Sequence, residues 1–323
     1  MTLRRLAVAL LVLAVVAVGS VLIGTEHLGV GVLVDAYLRP DGSDAQLVIR
    51  HLRVPRTLTG LLAGVALGLA GAVTQGLTRN PLAGPEVLGV NAGAALAVVI
   101  GIATAGLSSV SGYVWFAFAG AALAGLLTAV LGAGAPVRLA LAGVAVTAML
   151  GGVTSALTLL DASAFAEYRY WVVGSLSAAT LSTVVQALPF VALGAVLALA
   201  SARALNATAL GDDTARALGQ HLARTRAVAA IAVVLLTGAA VAMAGPIAFV
   251  GLTVPHIARA LAGPDYRWVL PWSMVLAPTL LLAADVLGRL VARPMELQAG
   301  IVTAVLGAPV FIALVRRRRL VAL

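Results

Sequence analysis

"RVPRTLTGLLAGVALGLAGAVTQGLTRNPLAGPEVLGVNAGA", residues 53–94, decides how this chain is folded. From Thr57 to Leu77 it carries no charge. That run is long enough, at about 1.5 Å per residue, to cross a hydrocarbon layer about 30 Å thick. Its second half, from Gln75 to Ala94, gathers an Arg, two Asn, a Glu and two Pro. Pro81 and Pro85 stop a helix, and Asn80 is pushed toward extended geometry by the proline that follows it. Two readings stay open for this interruption. It is a helix-terminating loop whose Asn side chains satisfy free backbone groups, or a broken helix beside a water-filled path, because irregular backbone at membrane depth survives only when shielded. Gln75, Asn80, Pro81 and Asn91 are its candidate residues.

The rest of the chain has the same character. Of 323 residues, 62% are hydrophobic and 10% charged, with a mean hydropathy of +1.08; soluble domains run near one quarter charged. Long unbroken apolar runs, rather than alternating segments of about ten residues, exclude a transmembrane β-barrel. The runs lie at Leu6–Ile23, 57–77, 87–107, 113–133, 137–160, 183–204, 227–245, a short one at 246–258, 269–287 and 299–315. They predict an all-α membrane protein of about ten spans, one polytopic domain over residues 1–323. The first run exceeds the apolar region of a signal peptide, so it is expected to be a retained span.

Residue types exclude several chemistries. There is no Cys, hence no disulfide framework or thiolate metal site. All 21 basic residues are Arg. Without Lys there is no Walker A loop and no Schiff base. HExxH, GxSxG and a GxGxxG at a strand-to-helix turn are also missing. No enzyme site and no cofactor is expected in this chain, so any ATP with its Mg must be bound by another one.

Arg4 and Arg5 at one end and "VRRRRL" at the other place both termini in the cytoplasm by the positive-inside rule, which requires an even number of spans. On a ten-span layout 14 of the 21 Arg and four of the 12 acidic residues lie inside, so the inner face carries +10 and the outer −1. The basic balance is thus a matter of orientation in lipid, and no nucleic-acid partner is expected.

Further breaks in the pattern mark candidate sites. "AGPIAFVGLTVPHIAR" (244–259) is a second interruption, with Gly245, Pro246 and Pro255 as its residues. It matches the first at an offset of 174, Leu61 to Pro81 against Leu235 to Pro255, as an inverted repeat would. Gly60, Gly64 and Gly68 recur every four residues and permit a close helix approach. The loop "ARALNATALGDDTARALGQHLARTRA" (202–227) predicts two short helices joined by a glycine turn, with Ala215, Leu218 and Leu222 on one thin apolar face. It is either a solvated linker or a docking element for a soluble partner. "VIRHLRVPR" (48–56) puts Arg50, Arg53 and Arg56 on the side where basic residues are disfavoured. They either snorkel at the head of a span or form a dock for an acidic external partner, to which Arg289 and Arg293 could contribute.

Taken together, the 53–94 stretch, "YWVVGSLS", "ALGDDTARALG", "GPIAFVGLTVPHIAR" and "ADVLGRLV…ELQAGIVTAVLGAPVFIALVRR" resemble, in order and over nearly the whole chain, the permease subunits of ABC importers for iron–siderophores, haem and cobalamin. The resemblance implies the ABC importer permease fold. It also implies pairing with a second copy or a paralogous permease, two separate ABC ATPase subunits and an external substrate-binding protein, in a bacterial plasma membrane. It assigns Leu210, Gly211, Asp212, Asp213, Ala215, Leu218 and Gly219 to coupling helices seated in the ATPase. It assigns Arg53, Arg56 and Arg289 to docking of the binding protein, with Arg293 competing for the last role. Gly84 and Asn91 depart from the residues usual in the family. Ferric siderophore is the expected cargo, haem or cobalamin the alternative. An ion-coupled secondary transporter is the competing class; its only acidic candidates, Asp161 and Asp285, fit loop borders better.

Overall fold

A computed structural model describes residues 2–24, 28–106, 110–132 and 136–316. In chain order the helices are α1 (Thr2–Leu22), α2 (Val30–Leu38), α3 (Asp44–Val48), α4 (Val54–Thr78), α5 (Val90–Ala105), α6 (Val110–Leu131), α7 (Pro136–Leu160), α8 (Ala162–Trp171), α9 (Leu181–Ala200), α10 (Ala202–Ala209), α11 (Asp212–Ala217), α12 (Leu222–Ala244), α13 (Val250–Ala262), α14 (Tyr266–Val291) and α15 (Ala299–Arg316). A π turn (Ile49–Arg53) leads into α4 and a 3₁₀ turn (Pro85–Leu88) into α5. Each of the ten apolar runs overlaps a helix, the one at 246–258 only from Val250 onward. Among the described residues seven helices are long and apolar enough to cross a membrane; α5 and α15 are shorter apolar helices, and α13 has 13 residues. The arginines after Arg316, part of the orientation argument, lie outside the described residues.

The axis of the bundle is α4, of whose 25 residues 20 are buried. A helix that is apolar all round belongs inside, and α4 is surrounded by α14, α12, α13 and α9. The four-residue glycine spacing explains its closest contact. Side chains added at Gly60, Gly64 and Gly68 would strike Leu282, Pro278 and Ser273, so this stripe is the surface on which α14 lies. At Gly71 a side chain would meet the Gly251 carbonyl of α13.

That carbonyl corrects one expectation. Pro255 does not break the chain; it is buried inside α13. A proline in a helix leaves the carbonyl four residues earlier without its donor. Here that carbonyl is Gly251's, and the missing side chain of Gly71 gives it room. The second interruption instead spans Gly245 to Phe249, where Gly245 (φ +69°) ends α12 and Phe249 takes a left-handed conformation before α13. The offset-174 alignment therefore pairs positions that are not equivalent. Gly71 lies within a continuous helix where Gly245 ends one, and Pro81 lies in a turn where Pro255 lies in a helix.

Candidate functional site

Polar side chains concentrate at the two ends of α4. At its N-terminal end, Arg56 Nε donates to both carboxylate oxygens of Asp285 (3.2 and 3.0 Å), Nη2 adds a bond of 2.8 Å, and Nη1 reaches Glu296 at 2.7 Å. Arg289 pairs with Asp285 from the other side at 3.0 Å. It also donates to the carbonyls of Ser20 and Ile23 at 2.9 and 2.8 Å and to the Ser20 hydroxyl at 3.0 Å. Arg53 reaches the carbonyls of Val21 and Leu22 at 3.1 and 2.7 Å. The last carbonyls of a helix have no intrahelical donors. Here arginines from the α4 end and α14 supply them for α1.

Two expectations change as a result. Arg53, Arg56 and Arg289 are 7, 9 and 2% exposed, so they are internal groups and not a surface presented to a partner. The sequence showed basic residues on a disfavoured side. It did not show that a carboxylate more than two hundred positions away and the end of α1 would absorb them. Asp285 is not at a loop border either: it is fully buried within α14, between two guanidinium groups. Asp161 does sit at a border, capping α8 through the backbone N–H groups of Ser163 and Ala164. Around the buried cluster, Arg50, His51 and Arg293 are exposed.

At the C-terminal end, α4 stops at Arg79, which is left-handed (φ 50°). Asn80 then turns the chain, its side-chain oxygen accepting from the Leu82 N–H at 2.9 Å. Asn80 and Pro81 thus form a helix-terminating turn. Gln75 is fully buried one turn earlier and is an anchor between helices: its amide donates to the Leu252 carbonyl at 3.1 Å and its oxygen accepts from Arg259 of α13. Asn91, on the first turn of α5, keeps a buried side-chain oxygen without a partner.

The 202–227 segment forms two short helices, α10 and α11, turning at Gly211 (φ +107°) and leaving at Gly219 (φ +79°). Asp212 is clamped between Arg79 and Arg226, the latter at 2.7 Å. Partial burial works against its charge, but the bonds from the two arginines outweigh it and hold the carboxyl below the ordinary range. Asp213 is fully exposed and pairs with Arg216 at 2.8 Å. Ala215 is buried against Ala207 and Leu222. Leu218 does not join that face; with Leu210 it projects outward, 59 and 65% exposed. Helical spacing alone placed Leu218 with Ala215, but α11 ends at Ala217, one residue short of it.

A link that sequence spacing does not reveal joins this segment to α4. The Asn206 side chain of α10 donates to Asp265 at 2.6 Å and accepts from the Tyr266 N–H at 2.9 Å. Asp265 caps α14. Arg267, on the first turn of α14, donates to its carboxylate at 2.9 and 3.1 Å, and this, with the Arg267 N–H and Asn206, holds it down at about 2 against partial burial. The Tyr266 ring packs over Gly76, and its hydroxyl lies near the Arg259 guanidinium that bonds Gln75. An Asp directly before the apolar run of α14 is a cap signal the sequence carries; Asn206, Tyr266 and Arg259 carry none.

The second interruption is built against the "YWVVGSLS" stretch. The Ser175 N–H donates to the Ala244 carbonyl at 2.8 Å, Gly174 abuts Pro246, and the Gly300 N–H donates to the Gly174 carbonyl at 3.0 Å. Among the described residues no group of three or more His, Asp or Glu side chains could hold a metal ion.

Comparison with known proteins decides the family. The profile described as "FecCD transport family" matches residues 10–317. The chain belongs to the FecCD transport family. One FecCD relative, the ferric enterobactin transport system permease protein FepD of Escherichia coli (strain K12), is 47% identical over 322 residues, which is 98% of this chain and 96% of that protein. Another, the Fe(3+)-citrate import system permease protein YfmD of Bacillus subtilis (strain 168), is 44% identical over 86% of this chain and 84% of its own. A solved structure described as an inward-facing conformation of a putative metal-chelate type ABC transporter superposes with a TM-score of 0.87 at 28% identity, covering 98% of this chain and 99% of that one. As a FecCD protein with this set of apolar helices, the chain is a multi-pass membrane permease.

Proposed function

We propose that this chain is the permease subunit of an ATP-driven importer in a bacterial plasma membrane, and that its cargo is a ferric siderophore. The observation that carries the reading is the near full-length match to a ferric enterobactin permease. On this reading both termini are cytoplasmic and α1, α4, α5, α6, α7, α9, α12, α13, α14 and α15 are the ten spans. Two permeases, alike or paralogous, pair around the pathway. ATP and Mg are held by two separate ATPase subunits, and cargo arrives from an external binding protein.

The coupling segment is α10–α11. Its exposed leucines, Leu210 and Leu218, are the contact with the ATPase. Asp212 ties the segment to the end of α4 through Arg79, and Asn206 ties it through Asp265 and Tyr266 toward Arg259 and Gln75. A displacement of α10–α11 is therefore delivered to the first interruption and to α13. At the other end the binding protein meets the exposed rim with Arg50 and Arg293, while Arg53, Arg56 and Arg289 hold that rim in place. The competing ion-coupled class needs a titratable group free to bind its ion; Asp285, already held by two arginines, is poorly suited to that.

The test is uptake of radiolabelled ferric siderophore, haem and cobalamin by cells lacking the gene and by cells with it restored. Selective loss and recovery of siderophore uptake supports the reading. Loss of haem or cobalamin uptake instead overturns the cargo and keeps the importer class, and unchanged uptake of all three overturns the cargo assignment outright.

A further inference from the structure

A cavity of about 890 Å³ opens at the Arg79 end of the bundle, between the end of α6, the start of α7 and the start of α12. Its α12 wall carries, beside Leu222 and Arg226, three alanines at helical spacing, Ala223, Ala227 and Ala230, whose small side chains leave the space beside Val130 of α6 and Leu139 of α7 unfilled. Val130 is exposed, as are Leu126, Leu127 and Leu131 on the same helix, so the apolar wall continues along the outside of the bundle. The rim is basic: Arg216, His221 and Arg226 line it. Arg138 and Arg224 add exposed cations nearby, and the acidic groups there are Asp212 and Asp213, paired with Arg226 and Arg216.

An apolar slot with a cationic mouth, between three helices that each qualify as membrane spans, fits one kind of molecule. We infer that this groove binds an anionic glycerophospholipid, with its phosphate at Arg216, His221 and Arg226 and an acyl chain along the alanine wall. A basic pocket between spans attracts an anionic head group by about the same increment for each arginine near it. A zwitterionic lipid brings its own ammonium to the same place and loses that advantage. The alanines decide the rest, because a larger side chain on α12 would occupy the path of the acyl chain.

The experiment uses the full-length permease purified in detergent, titrated with phosphatidylglycerol or with phosphatidylcholine of the same acyl chains, and lipid retention is read by native mass spectrometry. Phosphatidylglycerol is expected to be retained selectively. Arg216→Gln should lower its occupancy roughly fivefold. Ala227→Leu, which changes no charge, should abolish it, with Ala223→Leu as the second variant if Ala227→Leu does not fold. Equal retention of the two lipids, or full retention by a folded alanine-to-leucine variant, overturns the proposal. So does an ATPase whose binding to lipid-free permease weakens in the alanine variant while lipid retention does not; the groove would then be an ATPase contact. Retention is measured on the permease alone, so it fails separately from the uptake assay.

Discussion

The two ends of α4 hold similar residues in opposite ways. At the Arg56 end a single fully buried carboxylate binds two guanidiniums, and a third arginine is spent on the carbonyls of α1. At the Arg79 end the carboxylate that binds two arginines, Asp212, is only partly buried, and the leucines beside it face outward. Removing one partner from a buried pair leaves a charge without water, whereas exposed pairs are screened and contribute little. The first end is closed against water; the second is open to it, as the proposed ATPase contact requires.

This contrast can be broken at several points, of decreasing size. Asp285→Ala leaves Arg56 with only the partly exposed Glu296 and the buried Arg289 with no carboxylate, and should cost about 3 kcal/mol, seen as a large fall in the thermal midpoint of the detergent-solubilised protein. A loss below about 1 kcal/mol would show that water reaches the cluster and that it is not closed. Asp265→Ala removes a helix cap and should cost about 1 kcal/mol. Because the Asp265 carboxyl is held down at about 2, its contribution is complete above about pH 4, the unfolded value. It is lost as pH falls from there toward 2, so variant and parent should converge in that window.

Asp212→Ala should cost less than about 1 kcal/mol, since both its arginines can turn to water, and yet reduce uptake sharply. A stability loss as large as that of Asp285→Ala would erase the difference between the two ends. Leu218→Ser should leave the thermal midpoint unchanged and weaken ATPase binding by about fivefold or more, measured with the purified subunit. Unchanged binding would remove the coupling role from this leucine.

What sequence makes legible follows from distance along the chain. The glycine spacing on α4 is a local pattern and announced a close helix approach; only the partner, α14, was hidden. The turns at Asn80, Gly211 and Gly245 were visible because turn chemistry is local. Arg53 and Arg56 were read as surface groups because what absorbs them is distant in sequence: the end of α1 for Arg53, and Asp285, 229 positions away, for Arg56. Pro255 was misread for a related reason. A proline's tolerance inside a helix depends on what faces the freed carbonyl, and that is Gly71 of another helix. Leu218 failed by one residue, at a helix end, where periodicity is least informative.

The arginine caps on α1 also set an order of assembly. The Ser20 carbonyl is satisfied by Arg289, which is made 269 positions later. Chains grow from the N-terminus at about 5–20 residues per second. The end of α1 is therefore latched in two stages: Arg53 can reach the Val21 and Leu22 carbonyls soon after they are made, whereas the Ser20 and Ile23 carbonyls wait until α14 has been made.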